Sequence, residues 1–423
     1  MPIGHLRFRL TDISRLPRET NNVIPKADSP LNGRDISTHY VQLDGLRGLA
    51  ILLVMGYHFF LPHSGFHGAE AGILLQLAQM GWMGVDLFFV LSGFLITGIL
   101  LQSRHQENYF RNFLMRRFLR IWPLYYLTLI GLILVLPLLL PEVPAELQSM
   151  QRNQAWFWLF GANWLFAKEG GFDLTSGGYY WSLAVEEQFY VIWPLAVLLL
   201  SARTLGRVCL GLLATSFVLR IVLLSNGVSS SSLYVATVTH WDGLAIGSLM
   251  ATMAHSGRLA RISRGTLLVT SAICVLGLAT ARAMDGDFFF WGRHMAAYGY
   301  SLLAVMFGAL LAYTLRTGPS RGANRLFTHR FMTLSGKYSY ALYLFHVPIA
   351  SALFPLTFKL MSRFEDAVGY NVIFAVFFAA AFATSWIGAV LSWHFLEKRI
   401  LKLKRHFPGH SPPGGKEASP TPG

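Results

Sequence analysis

Apolar runs about as long as a bilayer core is thick set the first constraint on this chain. From residue 43 onward, stretches of roughly 20 residues with few charges follow one another, separated by short polar connections. That is the length an α-helix needs to cross the hydrocarbon core. Composition agrees: 53% of the 423 residues are hydrophobic and 13% are charged, about half the roughly 25% charged of a soluble globular protein. A soluble enzyme, a disordered chain and a fibrous repeat are excluded. The runs predict an all-α polytopic membrane protein with about ten transmembrane helices, at 43–62, 80–101, 118–140, 181–200, 206–224, 234–253, 265–281, 295–315, 338–358 and 371–396.

Residues 1–39 are polar and hold Pro17, Pro25 and Pro30, without the apolar core and small-residue cleavage site of a secretory signal. They are expected as a cytoplasmic N-terminal tail, residues 40–400 as one transmembrane domain, and 401–423, ending SPPGGKEASPTPG, as a disordered cytoplasmic tail. The aromatic stretch Trp156 to Phe166 is too short to span and is expected at the interface or re-entering.

The formal charge of +14 has a bland explanation, the excess of Lys and Arg on cytoplasmic loops that orients a membrane protein, and nucleic acid is not expected as a partner. Ten crossings require the loops to alternate in Lys and Arg content. They do: the two tails and every second loop hold 27, the opposite loops hold 6, and Arg47 and Arg220 lie within spans. Both termini are therefore expected in the cytoplasm. Cys209 and Cys274 lie in or beside apolar segments without metal-ligand spacing, so they are expected to pack as small hydrophobes, with no disulfide framework and no metal site.

An ionisable side chain inside a span is costly unless it meets a partner, water or the bundle interior, so each is a candidate. In the first span, DGLRGLAILLVMGYHFF, Arg47 and His58 are 11 residues apart. That puts them within about 20° on one face and about 16 Å apart along the axis. Arg47 beside Asp44 reads as snorkelling, whereas His58 is a natural general base or a packed core histidine. Asp86 in GVDLFFVLSGFL needs a partner, while Gly84 and Gly93 allow close helix approach. Arg117 and Arg120 in RRFLRIWP share a face and read equally as a phosphate grip or an interfacial anchor. Adjacent Glu186 and Glu187 in WSLAVEEQFY point to different faces, so at least one looks into the bundle. His240 and Asp242 in THWDGLAIG lie in the outer third, and Arg220 reads as snorkelling or pairing with one of these carboxylates. His346 lies about 13 Å in from Lys337 at helical rise, and Pro348 just beyond it is expected to kink the helix and free a carbonyl. Glu397 and Lys398 in WHFLEKRI read as surface anchors.

Taken in order on successive spans, YVQLDGLRGLAILLVMGYHF, GVDLFFVLSGFLIT, RRFLRIWP, WSLAVEEQFY and SGKYSYALYLFHVPI make the chain resemble acyltransferase family 3, the polytopic membrane O-acyltransferases of surface glycans and related acceptors. The resemblance implies a bacterial inner-membrane O-acetyltransferase without a bound cofactor. Acetyl-coenzyme A would be its cytoplasmic donor, and a sugar hydroxyl of a periplasmic or lipid-linked glycan its acceptor. It implies donor binding by Arg47, Arg117 and Arg120. His58 would act as general base or acyl relay, with Glu186 or Glu187 orienting it, and Asp86, His240, Asp242 and His346 as substrate-binding or support. Family members often carry a further hydrolase-like domain; with none visible after span ten, a second activity is expected from another protein. The rival reading is a proton-coupled transporter or exporter, because buried His, Asp and Glu also build proton relays.

Overall fold

The structure is a computed structural model that describes residues 40–60, 78–171, 177–361 and 369–409. The predicted tail 1–39, residues 61–77 between the first two spans and the terminal 410–423 lie outside the described residues. Ten principal helices form the bundle: α1 Val41–Phe60, α2 Gly84–Ser103, α3 Tyr109–Leu129, α4 Tyr180–Leu199, α5 Ala202–Ser225, α6 Asp242–His255, α7 Arg264–Asp285, α8 Tyr300–Arg316, α9 Arg330–Met361 and α10 Tyr370–Ser392. Among the described residues, nine helical segments are long and apolar enough to cross a membrane unaided. The exception is α6.

The expected sixth span, 234–253, is not one helix. It breaks into Ser230–Val235, a 3₁₀ turn at Thr237–Thr239, and the fourteen-residue α6. Irregular backbone at such depth is tolerated only where protein satisfies it, and here it does. Asn163 donates to the carbonyl of Val235, Ser216 to that of Val238 and Arg220 to that of Thr239. The segment still brings the chain back across the bundle. Arg220 near the end of α5 meets Asp242 at the start of α6, while Arg203 and Arg207 at the start of α5 border one cavity with Arg258 just past α6.

Two close helix contacts organise the interior. At Gly336 of α9, an added Cβ would fall 1.8 Å from the Asp44 carbonyl oxygen of α1; at Gly247 of α6, one would fall 2.0 Å from the Val90 carbonyl oxygen of α2. Backbones approaching this closely gain packing that lipid tails cannot supply, the usual role of small residues between membrane helices.

Several boundaries differ from the sequence expectation. The third span begins at Tyr109, nine residues early, and continues through a π-helical stretch, Ile130–Val135, to Leu139. This places Arg117 and Arg120 inside a helix rather than at its edge. The last span runs on from α10 through Trp393–Glu397 and Lys398–Leu401 to a 3₁₀ turn at Lys402–His406. The boundary set at Leu401 for a disordered tail is therefore too early. Order persists because Arg116 of α3 donates to the Phe407 carbonyl at 3.0 Å and Arg111 stands over the Phe407 ring.

The aromatic stretch folds into two short helices, Gln154–Trp158 and Ala162–Glu169, tied to α3 by the Tyr125 and Tyr126 hydroxyls. Cys209 and Cys274 are buried and unpaired with each other. Helix α9 continues past Pro348. The carbonyl that the missing proline N–H leaves open, that of Leu344, accepts the Tyr179 hydroxyl at 3.1 Å.

Candidate active site

The starts of α1, α4 and α9, the middle of α3, one side of α2 and the end of the last helical segment surround a cavity of about 690 Å³. That volume lies within the range of small-molecule and cofactor sites. Each helix contributes one face. On α4 the lining residues Ser182, Glu186 and Tyr190 are four apart, and on α9 Ser339 and Tyr343 are likewise four apart, the spacing at which side chains stack on one helix face. Five cations line this cavity: Arg47, Arg117, Arg120, Lys337 and Lys404, against the carboxylates of Asp44 and Glu186. The three arginines expected from sequence are thus brought together from two helices.

Their partners differ. Arg47 donates to Ser339 Oγ at 3.2 Å, and Arg120 pairs with Glu397 Oε2 at 3.2 Å. Arg117 stands over the Phe113 ring, and among the described residues its Nε is buried without a hydrogen-bond acceptor. Glu397 is only 6% exposed and also accepts from Ser392. It is a buried counter-ion to the cavity-lining Arg120, not the surface anchor its position suggested. Lys337 and Lys404 were not singled out as site residues. Lys337 lies within the string SGKYSYALYLFHVPI, and Lys404 lies past Leu401, in sequence that has the composition of a tail.

Toward its inner end the cavity is lined by Phe88, Phe89, Ser182 and Tyr343. The Ser182 and Tyr343 oxygens are 2.5 Å apart, and the Tyr343 hydroxyl is also 3.0 Å from the Tyr179 carbonyl. The Tyr343 ring lies 5.7 Å from that of His346, and His346 lies 4.9 Å from His58. The chain of contacts from cavity to first-span imidazole is therefore Tyr343, His346, His58. His58 is buried and turned to α9 rather than to lipid, but it does not itself line the cavity.

Carbonyl oxygens only accept hydrogen bonds, which assigns the protons of the neutral rings. His346 Nδ1 lies 2.8 Å from the Tyr343 carbonyl and 3.0 Å from that of Leu342, and His58 Nδ1 lies 2.9 Å from that of Val54. Both Nδ1 atoms carry hydrogen. His346 Nε2 then offers its lone pair to the same His58 Nδ1–H at 3.2 Å, sharing it with the nearer Val54 carbonyl, and His58 Nε2 is left as a lone pair.

The carboxylates expected beside His58 are engaged elsewhere. Glu186 accepts from Ser92 at 2.6 Å and Tyr190 at 3.1 Å, and Glu187 accepts from Trp122 at 3.0 Å. The neighbour of the imidazole is His346, a pairing across 288 residues that no local pattern reveals. Asp86, His240 and Asp242 do not line the cavity either. His240 Nε2 pairs with Asp86 at 2.9 Å, inside rings of Phe89, Trp181, Tyr234 and Tyr300. Arg220 grips both oxygens of Asp242, at 3.0 and 2.8 Å. These ion pairs join α2, α5 and α6 where the sixth segment is irregular.

A polytopic helical bundle with a basic-lined cavity close to a pair of buried imidazoles belongs to the class of multi-pass membrane proteins. The chain matches the family described as the acyltransferase domain over residues 40–390 and belongs to it. It is 28% identical over 384 residues to the peptidoglycan O-acetyltransferase OatA of Listeria monocytogenes, covering 86% of this chain and 56% of that protein. It is 31% identical over 379 residues to the putative peptidoglycan O-acetyltransferase YrhL of Bacillus subtilis, covering 85% and 54%, and 27% identical over 323 residues to the O-acetyltransferase OatA of Staphylococcus aureus, covering 73% and 50%. The chain thus spans little more than half the length of these relatives. No solved structure matches it significantly. Its long apolar helices and bacterial relatives make it a multi-pass protein of the bacterial inner membrane.

Proposed function

We propose that this protein transfers an acetyl group from acetyl-coenzyme A, bound in the basic cavity, to a sugar hydroxyl of an extracytoplasmic or lipid-linked glycan. The single observation that carries this is the cavity itself: it gathers five cations and is also lined by Tyr343, against which His346, the partner of His58, is packed. Charge-assisted contacts from Arg47, Arg117 and Arg120 suit the phosphates of a nucleotide thioester, and the unpartnered Nε of Arg117 favours an anion there. The distribution of Lys and Arg orients this end to the cytoplasm, with both termini on that side. A sugar hydroxyl is the acceptor by analogy with the relatives, whose names specify peptidoglycan or O-acetyl transfer.

His58 is the general base of this reading. Its Nε2 lone pair takes the acceptor proton, and the bond from Nδ1–H to His346 holds the ring while it is charged. His346 is a positioning residue, in the part that the family resemblance implies for Glu186 or Glu187. The thioester supplies the driving force, so the chain has chiefly to align the two reactants and exclude water.

The test uses membrane vesicles containing the full chain and radiolabelled acetyl-coenzyme A. His58→Ala is expected to fold and to lose acetyl transfer, while Arg117→Ala/Arg120→Ala loses binding of the donor. Retained transfer in the first variant removes His58 from the chemistry. A wild-type chain that binds no acetyl-coenzyme A favours the transporter reading.

A further inference from the structure

Attack on a thioester places negative charge on its carbonyl oxygen, and preorganised donors at that atom are commonly the largest single contribution to such catalysis. The cations of the cavity sit at its mouth and the imidazoles beyond its inner end, so the donors must come from the wall between. Most hydroxyls there are committed. Ser92 and Tyr190 donate to Glu186, Tyr340 donates to the Ile121 carbonyl at 2.6 Å and Thr333 to the Arg330 carbonyl, while Ser339 sits among the cations, bonded to Arg47.

Ser182 and Tyr343 differ, because together they hold two O–H protons against one backbone acceptor. That acceptor is the Tyr179 carbonyl, 3.0 Å from the Tyr343 hydroxyl and 3.4 Å from Ser182 Oγ. With Tyr343 on that carbonyl, the Ser182 proton points at the Tyr343 oxygen and can turn to a stronger acceptor without leaving any protein carbonyl unpaired. Both residues line the cavity and are at most 6% exposed. The Tyr343 main-chain carbonyl accepts from His346 Nδ1, so this hydroxyl pair and the imidazole pair share one anchor on α9, whose register is further tied by Tyr179 to Leu344.

We infer that Ser182 is a catalytic residue, its hydroxyl being the donor to the thioester oxygen, and that Tyr343 is the positioning residue that keeps that proton uncommitted. The inference rests on the cavity being the acyl-donor site. In the step it serves, the acceptor oxygen bonds to the carbonyl carbon, its proton passes to His58 Nε2, and the carbonyl π electrons move onto oxygen against the Ser182 O–H. Collapse re-forms the C=O and breaks the C–S bond, and the departing thiolate takes the proton back from His58.

Vesicles containing the full chain and its native acceptors, supplied with acetyl-coenzyme A, give the readout as kcat. Ser182→Ala is expected to lower kcat by roughly 10²–10³-fold, and Ser182→Thr, which keeps the hydroxyl, to restore most of it. Binding of S-ethyl-coenzyme A, a thioether without the carbonyl, is expected to be equal in wild type and Ser182→Ala. Wild-type kcat in Ser182→Ala overturns the assignment, and so does a loss of thioether binding as large as the loss of kcat, since that marks a residue that only shapes the cavity. A wild-type chain that transfers no acetyl overturns the donor-site reading itself.

Discussion

Arg220 is fully buried, and its guanidinium is held by the Thr239 carbonyl, both Asp242 oxygens and the Ser301 hydroxyl. Removing one partner of such a pair strands the other charge away from water, typically at a cost of about 3–5 kcal/mol. Arg220→Ala is therefore expected to lower stability in detergent by that order, read as a fall in the thermal unfolding midpoint, whereas Arg220→Met/Asp242→Leu recovers much of it. A single variant as stable as wild type would show that the pair does not bracket α6. Sequence marked Asp86, Arg220, His240 and Asp242 as out of place in lipid, and rightly, because a charge in an apolar run always needs an explanation. It could not separate scaffold from site. That distinction depends on which partner stands opposite, and Asp86 and His240 are 154 residues apart.

Among the helices, α1 against α9 is the contact on which the imidazole pair depends. Gly336→Ala puts a methyl group 1.8 Å from the Asp44 carbonyl oxygen, so the helices must separate, and both stability and acetyl transfer are expected to fall. Gly211→Ala on α5 meets nothing within 4 Å and is expected to be neutral or to gain up to about 1 kcal/mol from helix propensity. Equal thermal midpoints for the two variants would refute the close-contact account. The helices themselves were largely legible, because a run of about 20 apolar residues has few alternatives. Helix α6 was not, since hydropathy cannot register that the backbone from Val235 to Thr239 is satisfied by side chains of other segments. The ordered turn past Leu401 escaped for a similar reason: its composition is that of a tail, and contacts from the distant Arg111 and Arg116 hold it.

At the scale of the molecule, alternation of the helices collects Arg47, Arg117, Arg120, Lys337 and Lys404 at one end of the bundle, the end expected in the cytoplasm if the Lys- and Arg-rich loops lie there. Arg321→Cys, in the loop after α8, is expected to react with a membrane-impermeant maleimide only in opened cells, and Asn226→Cys, after α5, in intact ones. Buried Cys209 and Cys274 give little background. The reverse pattern would turn the cavity away from the cytoplasmic donor. Several of the residues that build this cavity stood in recognisable strings, and the four-residue spacing of Ser182, Glu186 and Tyr190 is visible without coordinates. By itself, then, the sequence determined that the chain crosses the membrane repeatedly and which polar groups had to be explained, because transfer into lipid is a property of each segment. Only the tertiary structure decided that His58 meets His346, that Glu397 answers Arg120, and that Ser182 and Tyr343 share one acceptor. Those pairings depend on how helices distant in sequence pack together, and no local pattern encodes that.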